Sequence, residues 1–203
     1  MKLYGSLTSP FVRVARIAAI ELGLADRVEF VPTIVKPTDR NDGYASTNPL
    51  RKVPALELDD GTTVVDSRVV VERLNAEAGG AIVPAAGPER IDCLNRYAVV
   101  SGSTDALVLV MYETRVRPEA LRWDAWVDDQ VDKTKTAIAW CEERVGAFSA
   151  DFDLGAIGLV AMLDYAAFRF PETPWLAETP ALRRHMDDLG ARPSVAETAP
   201  RDG

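Results

Sequence analysis

Thr8-Ser9-Pro10-Phe11-Val12-Arg13 is a polar turn running into a helix, and it follows the short apolar run Lys2-Leu3-Tyr4-Gly5. The order reads as strand, turn, helix. Phe11, Val14, Ala15, Ala18 and Leu22 recur at helical spacing, while Arg13, Arg16 and Glu21 fall elsewhere on the wheel, which predicts a helix packing one face inward from residue 10 onward. Gly23 ends it. Proline suits a first helical position, where its missing N–H has no partner to lose, and Ser9 before it is a favoured N-cap. A helix N-terminus also favours a negative charge, so Ser9 reads either as a plain cap or as the edge of an anion site.

Outward from that turn, Val28 to Pro32 reads as a second strand, giving β-α-β. Lys36 to Asn48 is polar loop with at most a short helix. Asn48 to Leu58 enters a third strand through Val53-Pro54, an X-Pro step suited to a strand entrance and compatible with a cis bond. Asp59-Asp60-Gly61-Thr62 predicts a hairpin turn, with Thr63 to Val65 returning antiparallel. Val69-Val70-Val71 favours strand by propensity, yet Ser67 as N-cap, Val70 and Leu74 on one face and charged Glu72, Arg73 and Glu77 predict a helix from Arg68 to Glu77. Residues 1–77 are therefore a small α/β domain, 78–88 a Gly/Pro-rich linker, and 89–203 all helical.

In the helical part, one helix runs from Pro88 towards Arg115 with a break expected near Gly102, and another spans Arg122 to Val145. Asp153 caps a segment from Leu154 to Phe168 that is apolar nearly all round and so belongs at that domain's centre. Thr179-Pro180 to Leu189 is the last helix expected, followed by an irregular tail.

The totals narrow the function. Net charge is -8 with a pI near 4.8, which argues against nucleic acid or an anionic membrane surface as a partner. Residues 1–77 carry net -1 and the remainder -7, so a small anion is better received in the first part. The longest apolar stretches are too short to span a bilayer, and cytoplasm is the expected setting. Cys93 and Cys141 form no C-x-x-C and no Cys/His cluster, so neither a metal site nor a redox pair is expected. His185, the only histidine, lies among charged residues on a helix face that reads as solvated, which leaves Ser9 without a base for nucleophilic catalysis.

Ser9-Pro10-Phe11, Val53-Pro54 and Asp66-Ser67, in that order within β-α-β, β-β-α and ahead of a helical domain, closely resemble the cytosolic glutathione transferase superfamily. The resemblance covers nearly the whole chain. It is nearest to bacterial members with a serine-proline-phenylalanine turn; Phe168-Arg169-Phe170-Pro171 and the ending Arg192-Pro193-Ser194 resemble that group too. It implies a thioredoxin-like first domain and a homodimer. It implies that Ser9 donates to the glutathione sulfur, that Val53 beside a cis Pro54 pairs its backbone with the cysteinyl unit, and that Asp66 and Ser67 receive the γ-glutamyl end. Lys52 either reaches the glycyl carboxylate or lies in solvent. A second-substrate pocket is expected between the domains, walled by Phe11, Val108, Met111 and Tyr112, residues that read equally as core packing.

What the resemblance implies is a transferase that uses glutathione as co-substrate, without a metal, to detoxify small electrophiles. The alternative is a glutathione- or partner-binding protein of the same fold without useful turnover. Thiol exchange in the manner of a glutaredoxin needs cysteine at the turn, and Ser9 and Val12 stand at those positions. Two departures stand out. Arg51 occupies a position where many relatives have glycine, and Ala156 replaces an aspartate that completes a capping box in relatives, so Asp153 is expected to cap alone.

Overall fold

The computed structural model of the chain describes residues 1–202. Strands β1 (Lys2–Gly5), β2 (Glu29–Pro32), β3 (Ala55–Glu57) and β4 (Thr63–Val65) form one sheet in the order β2-β1-β3-β4. β1 runs parallel to β2 and antiparallel to β3, and the Asp59 to Thr62 turn folds β4 back antiparallel on β3. Helices α1 (Pro10–Glu21), α2 (Asp42–Ala45) and α3 (Ser67–Glu77) complete this α/β layer. The helical remainder comprises α4 (Gly87–Arg115), α5 (Asp124–Glu142), α6 (Val145–Ser149), α7 (Leu154–Arg169), α8 (Pro180–Gly190) and α9 (Pro193–Glu197). Short 3-10 turns at Ala25–Arg27 and Glu119–Leu121 link neighbouring elements.

The pivot is α1. Its Ala15 and Ala19 pack with Leu3, Leu56, Val70 and Leu74 over the sheet, while Val14, Ile17 and Ala18 belong to the larger core around α4 and α7. The sequence predicts one buried face; the structure buries nearly all sides, because the helical domain covers what a lone amphipathic helix leaves to solvent. Arg13 is the sharpest difference. It is 2% exposed, with Nη1 2.6 Å from an Asp164 carboxylate oxygen of α7, while Nε donates to Thr198 Oγ1 and Nη2 to the Val195 carbonyl. A buried guanidinium is tolerated only when its charge is met in this way; Nη1 meets the Asp164 carboxylate as a charge contact without an aligned hydrogen bond. At the head of α1, Gly5 is required by close approach: a Cβ there lies 2.5 Å from Val12 Cγ1.

Two further expectations are corrected. α4 runs unbroken through Gly102, since one exposed glycine costs a helix about 1 kcal/mol and the α4–α7 packing outweighs it. Part of the tail after Arg192 is helical, because Pro193–Glu197 docks on α1 as α9 through Arg13, while residues 199–202 carry no helix or strand. Asp153 caps α7 without a side-chain partner at Ala156, as expected, accepting from the Ala156 N–H at 3.1 Å. Arg96 of α4 in addition binds its two carboxylate oxygens at 3.0 and 2.6 Å. The stretch between α3 and α4 is pinned too: Asn75 accepts from the N–H groups of Ala81, Ile82 and Val83 and donates to the Val83 carbonyl.

Glu21, at the end of α1, accepts from Arg192 Nη2 at 2.6 Å and from the Ser194 hydroxyl. Burial opposes its charge, but these hydrogen bonds and the Arg192 charge outweigh burial and hold its carboxyl below the usual range. A lowered folded pKa contributes stability above the unfolded value near 4.3, lost as pH falls through the folded one. Urea unfolding of Glu21→Gln is expected to show a loss of about 1–2 kcal/mol at neutral pH, with the gap to wild type closing in acid; an equal gap at both pH values contradicts the assignment.

Candidate active site

The register of the sheet assembles the site. Tyr4 of β1 stands opposite Ala55 of β3, and Ala55 opposite Val65 of β4, so the C-terminal end of β1, the N-terminal end of β3 and the C-terminal end of β4 share one edge. Ser9, Val53-Pro54 and Asp66-Ser67 lie on the segments that leave the sheet there. Strands sit about 4.8 Å apart, so three turns scattered over 58 positions of sequence become neighbours.

Ser9 is the N-cap of α1, extended at φ -80° and ψ 122°, with Oγ accepting from the Val12 N–H at 3.3 Å. Pro10 has no N–H and the Arg13 N–H bonds the Ser9 carbonyl, which leaves the Phe11 N–H as the first free donor of the helix. The Ser9 hydroxyl keeps its own hydrogen to give. Among the described residues no histidine or carboxylate bonds it; His185 instead meets Ser149 Oγ at 3.2 Å, and burial lowers its pKa. Two donors at a helix N-terminus with no adjacent base suit binding an external anion.

The second turn is braced from behind. The Lys52 carbonyl accepts from the Tyr44 hydroxyl at 2.9 Å and from Asn48 Nδ2 at 2.7 Å, while Asn48 Oδ1 accepts from the Leu50 N–H at 3.0 Å. Arg51 holds φ 52°, a left-handed conformation that glycine adopts freely and other residues adopt at a cost, which explains why glycine suits this position. The Val53–Pro54 bond is cis. Val53 carries an N–H and a C=O that no described residue bonds, and the Lys52 side chain is exposed.

At the third turn the structure corrects the N-cap from Ser67 to Asp66. Asp66 sits at φ 75° and ψ 132° and accepts from the Arg68 N–H at 2.9 Å, so the cap role goes to the residue whose backbone leaves the helix. Ser67 is the first helical residue, 5% exposed, and its Oγ meets the Tyr97 hydroxyl of α4 at 2.7 Å. The N–H groups of Ser67 and Val69 remain without protein acceptors. Across the cleft, Asp105 of α4 has a raised carboxyl pKa: desolvation raises it most, the Lys52 charge opposes this, and Asp66 raises it further. The Lys52 and Asp66 charges therefore both reach Asp105. Tyr97 and Asp105 went unnoticed in the sequence because their helix reads as ordinary core and surface; nothing local distinguishes them.

Of the residues expected to wall a second-substrate pocket, Tyr112 lines an open groove of about 550 Å³ whose lining includes Pro37, Leu109, Leu121, Trp123 and Trp126. Phe11 and Met111 are half-buried outside that lining, and Val108 packs on the helical core. The groove contains none of Ser9, Val53, Asp66 or Ser67. Its two indoles come from the segment after α4, which periodicity alone assigns to no site. Burial pushes the Cys93 thiol up to about 11 and Cys141 up to about 12, so neither is a ready thiolate.

Residues 8–77 match the family model for the N-terminal domain of glutathione S-transferase, and residues 124–188 match the model for its C-terminal domain. The chain belongs to the glutathione S-transferase family. It is 30% identical to the uncharacterized GST-like protein YibF of Escherichia coli (strain K12), across 98% of each chain. Among solved structures, a glutathione transferase family member from Pseudomonas fluorescens Pf-5 with bound glutathione superposes with a TM-score of 0.96 at 33% identity, covering 99% of each chain. A structure of a P. fluorescens Pf-5 member with bound S-(propanoic acid)-glutathione gives 0.91 at 33% identity, covering all of both chains. The fold is the glutathione S-transferase fold, a thioredoxin-like domain followed by a helical one.

Asn48, 2% exposed, is the brace a family-level reading passes over. Asn48→Ala is expected to lower stability by about 1–3 kcal/mol in urea unfolding, since it removes one of the two donors to the Lys52 carbonyl and strands the Leu50 N–H. Asn48→Asp keeps the acceptor for Leu50 but sets a carboxylate oxygen against the Lys52 carbonyl, so it is expected to lose at least as much at neutral pH; equal stability of all three chains contradicts the bracing role.

Proposed function

We propose that the chain is a glutathione transferase of the bacterial serine-turn kind, which binds glutathione along the sheet edge and holds its thiol as the thiolate for attack on a small electrophile. The convergence of the three turns on one edge, fixed by the Tyr4–Ala55–Val65 register, carries the reading. The glutathione and the glutathione conjugate held by the P. fluorescens structures support it.

Each part of the tripeptide has a chemical counterpart. The sulfur faces the Ser9 hydroxyl and the free Phe11 N–H at the head of α1; both stabilise an anion more than a neutral thiol. The cysteinyl unit lies extended against Val53, whose N–H and C=O are free to pair. The γ-glutamyl ammonium meets Asp66 with Asp105 behind it, and the α-carboxylate meets the Ser67 hydroxyl and the first N–H groups of α3. The glycyl carboxylate falls to Lys52. The electrophile enters beside Phe11 and Met111, with the indole-lined groove at Tyr112 accepting flat apolar bodies. Ser9 takes no covalent part: it donates a hydrogen bond while the sulfur attacks.

A free thiol with a pKa of about 8.5 is only a few per cent thiolate at neutral pH. A shift of about two units makes it mostly thiolate. The proposal also takes the protein to be a cytoplasmic homodimer; sedimentation at 22.1 kDa, and not at twice that mass, removes the dimer. The decisive test follows the ultraviolet absorbance of the thiolate in the glutathione complex against pH. Wild type is expected to show a bound-thiol pKa about two units below the free value, and Ser9→Ala to return most of that shift while still binding glutathione. A bound thiol that titrates like the free one in both chains overturns the role of Ser9.

A further inference from the structure

The Ser67–Tyr97 contact joins the two layers of the molecule at the binding edge. Ser67 opens α3 in the α/β layer; Tyr97 lies 30 residues later on α4. Tyr97 is 3% exposed and packs within the main core, and its ring fits only because α7 carries glycine there: a Cβ on Gly158 lies 2.7 Å from Tyr97 Cδ2. Packing of that kind asks for a ring, and phenylalanine meets it. The hydroxyl meets Ser67 Oγ at 2.7 Å, with Ser101, one turn further along α4, also acting on it.

We propose that Tyr97 is a positioning residue for glutathione, holding the Ser67 hydroxyl so that Ser67 donates its hydrogen to the γ-glutamyl α-carboxylate. The inference rests on the glutathione reading above and adds a residue to it. In the free protein either hydroxyl can donate to the other. An arriving carboxylate accepts only, so it selects the arrangement in which Tyr97 donates to Ser67 Oγ and Ser67 donates outward. Burial pushes the phenol up to about 12, so Tyr97 keeps its proton throughout the neutral range, while Ser67 and Ser101 pull the other way. A hydroxyl that accepts one hydrogen bond is polarised to donate the next more strongly. The α3 N–H groups of Ser67 and Val69 face the same anion, which places three donors on one carboxylate.

The test is a calorimetric titration of wild type, Tyr97→Phe, Ser67→Ala and the double variant. The two ligands are glutathione and γ-aminobutanoyl-cysteinylglycine, which lacks only the α-carboxylate. Tyr97→Phe is expected to bind glutathione about five-fold more weakly. It should bind the decarboxylated peptide as wild type does, keep the wild-type bound-thiol pKa, and add no further loss in the Ser67→Ala background. A loss equal for both ligands, a loss additive with Ser67→Ala, or a Tyr97→Phe chain that does not fold assigns the phenol to packing and overturns the proposal. Wild type binding glutathione with no dependence on Tyr97 also overturns it while leaving the glutathione reading intact. Wild type binding neither peptide overturns that reading and the positioning role together.

Discussion

Everything at the binding edge hangs on α1 being packed from both sides. Its small residues Ala15 and Ala19 allow the sheet close, and Val14, Ile17 and Ala18 key into the helical core, so the helix has little freedom to slide. Arg13 locks the arrangement, tying α1 to Asp164 on α7 and to Thr198 and Val195 near the C-terminus. The N-terminus of α1, with Ser9 as cap, inherits that rigidity. An anion site made of one hydroxyl and one N–H needs it, because two hydrogen bonds discriminate between thiol and thiolate only if they do not move.

The same logic repeats at the other turns, with different chemistry. Val53 is presented by a loop in which the preceding Lys52 carbonyl is bonded from behind by both Tyr44 and Asn48, while its own N–H and C=O stay without protein partners. Ser67 is presented by a helix start whose hydroxyl is met from across the molecule by Tyr97. Unusual backbone accompanies both: Arg51 and Asp66, neither of them glycine, hold positive φ. Residues in sparsely populated conformations cost about 1–3 kcal/mol each and persist where surrounding structure holds them. Asp66 gains from it an outward carboxylate beside the helix start.

How legible this was depended on range. Strand, turn and cap signals act over a few residues, so Ser9 before Pro10, the Asp60-Gly61 turn and a helix ending at Glu77 could be read directly. Val69-Val70-Val71 was read as helix against its propensity because capping and spacing agreed. Exposure could not be read in the same way. Arg13 has the position of a solvent-facing residue on an isolated wheel, and only the carboxylate at Asp164, 151 positions later, makes it a buried one. Asp66 and Ser67 exchanged roles because both are good caps, and backbone angles decide between them. Tyr97 and Asp105 stayed hidden since a residue's meaning there comes from the partner helix α3 and not from its own. The resemblance to the glutathione transferases supplied the ligand that no single turn specified.

The measurement that bears most directly on the account is calorimetric titration of the wild-type chain with glutathione at neutral pH. The account predicts saturable binding below millimolar concentration, reduced by removing the γ-glutamyl α-carboxylate. No heat of binding at millimolar glutathione would contradict it, leaving the fold in place and the site without its ligand.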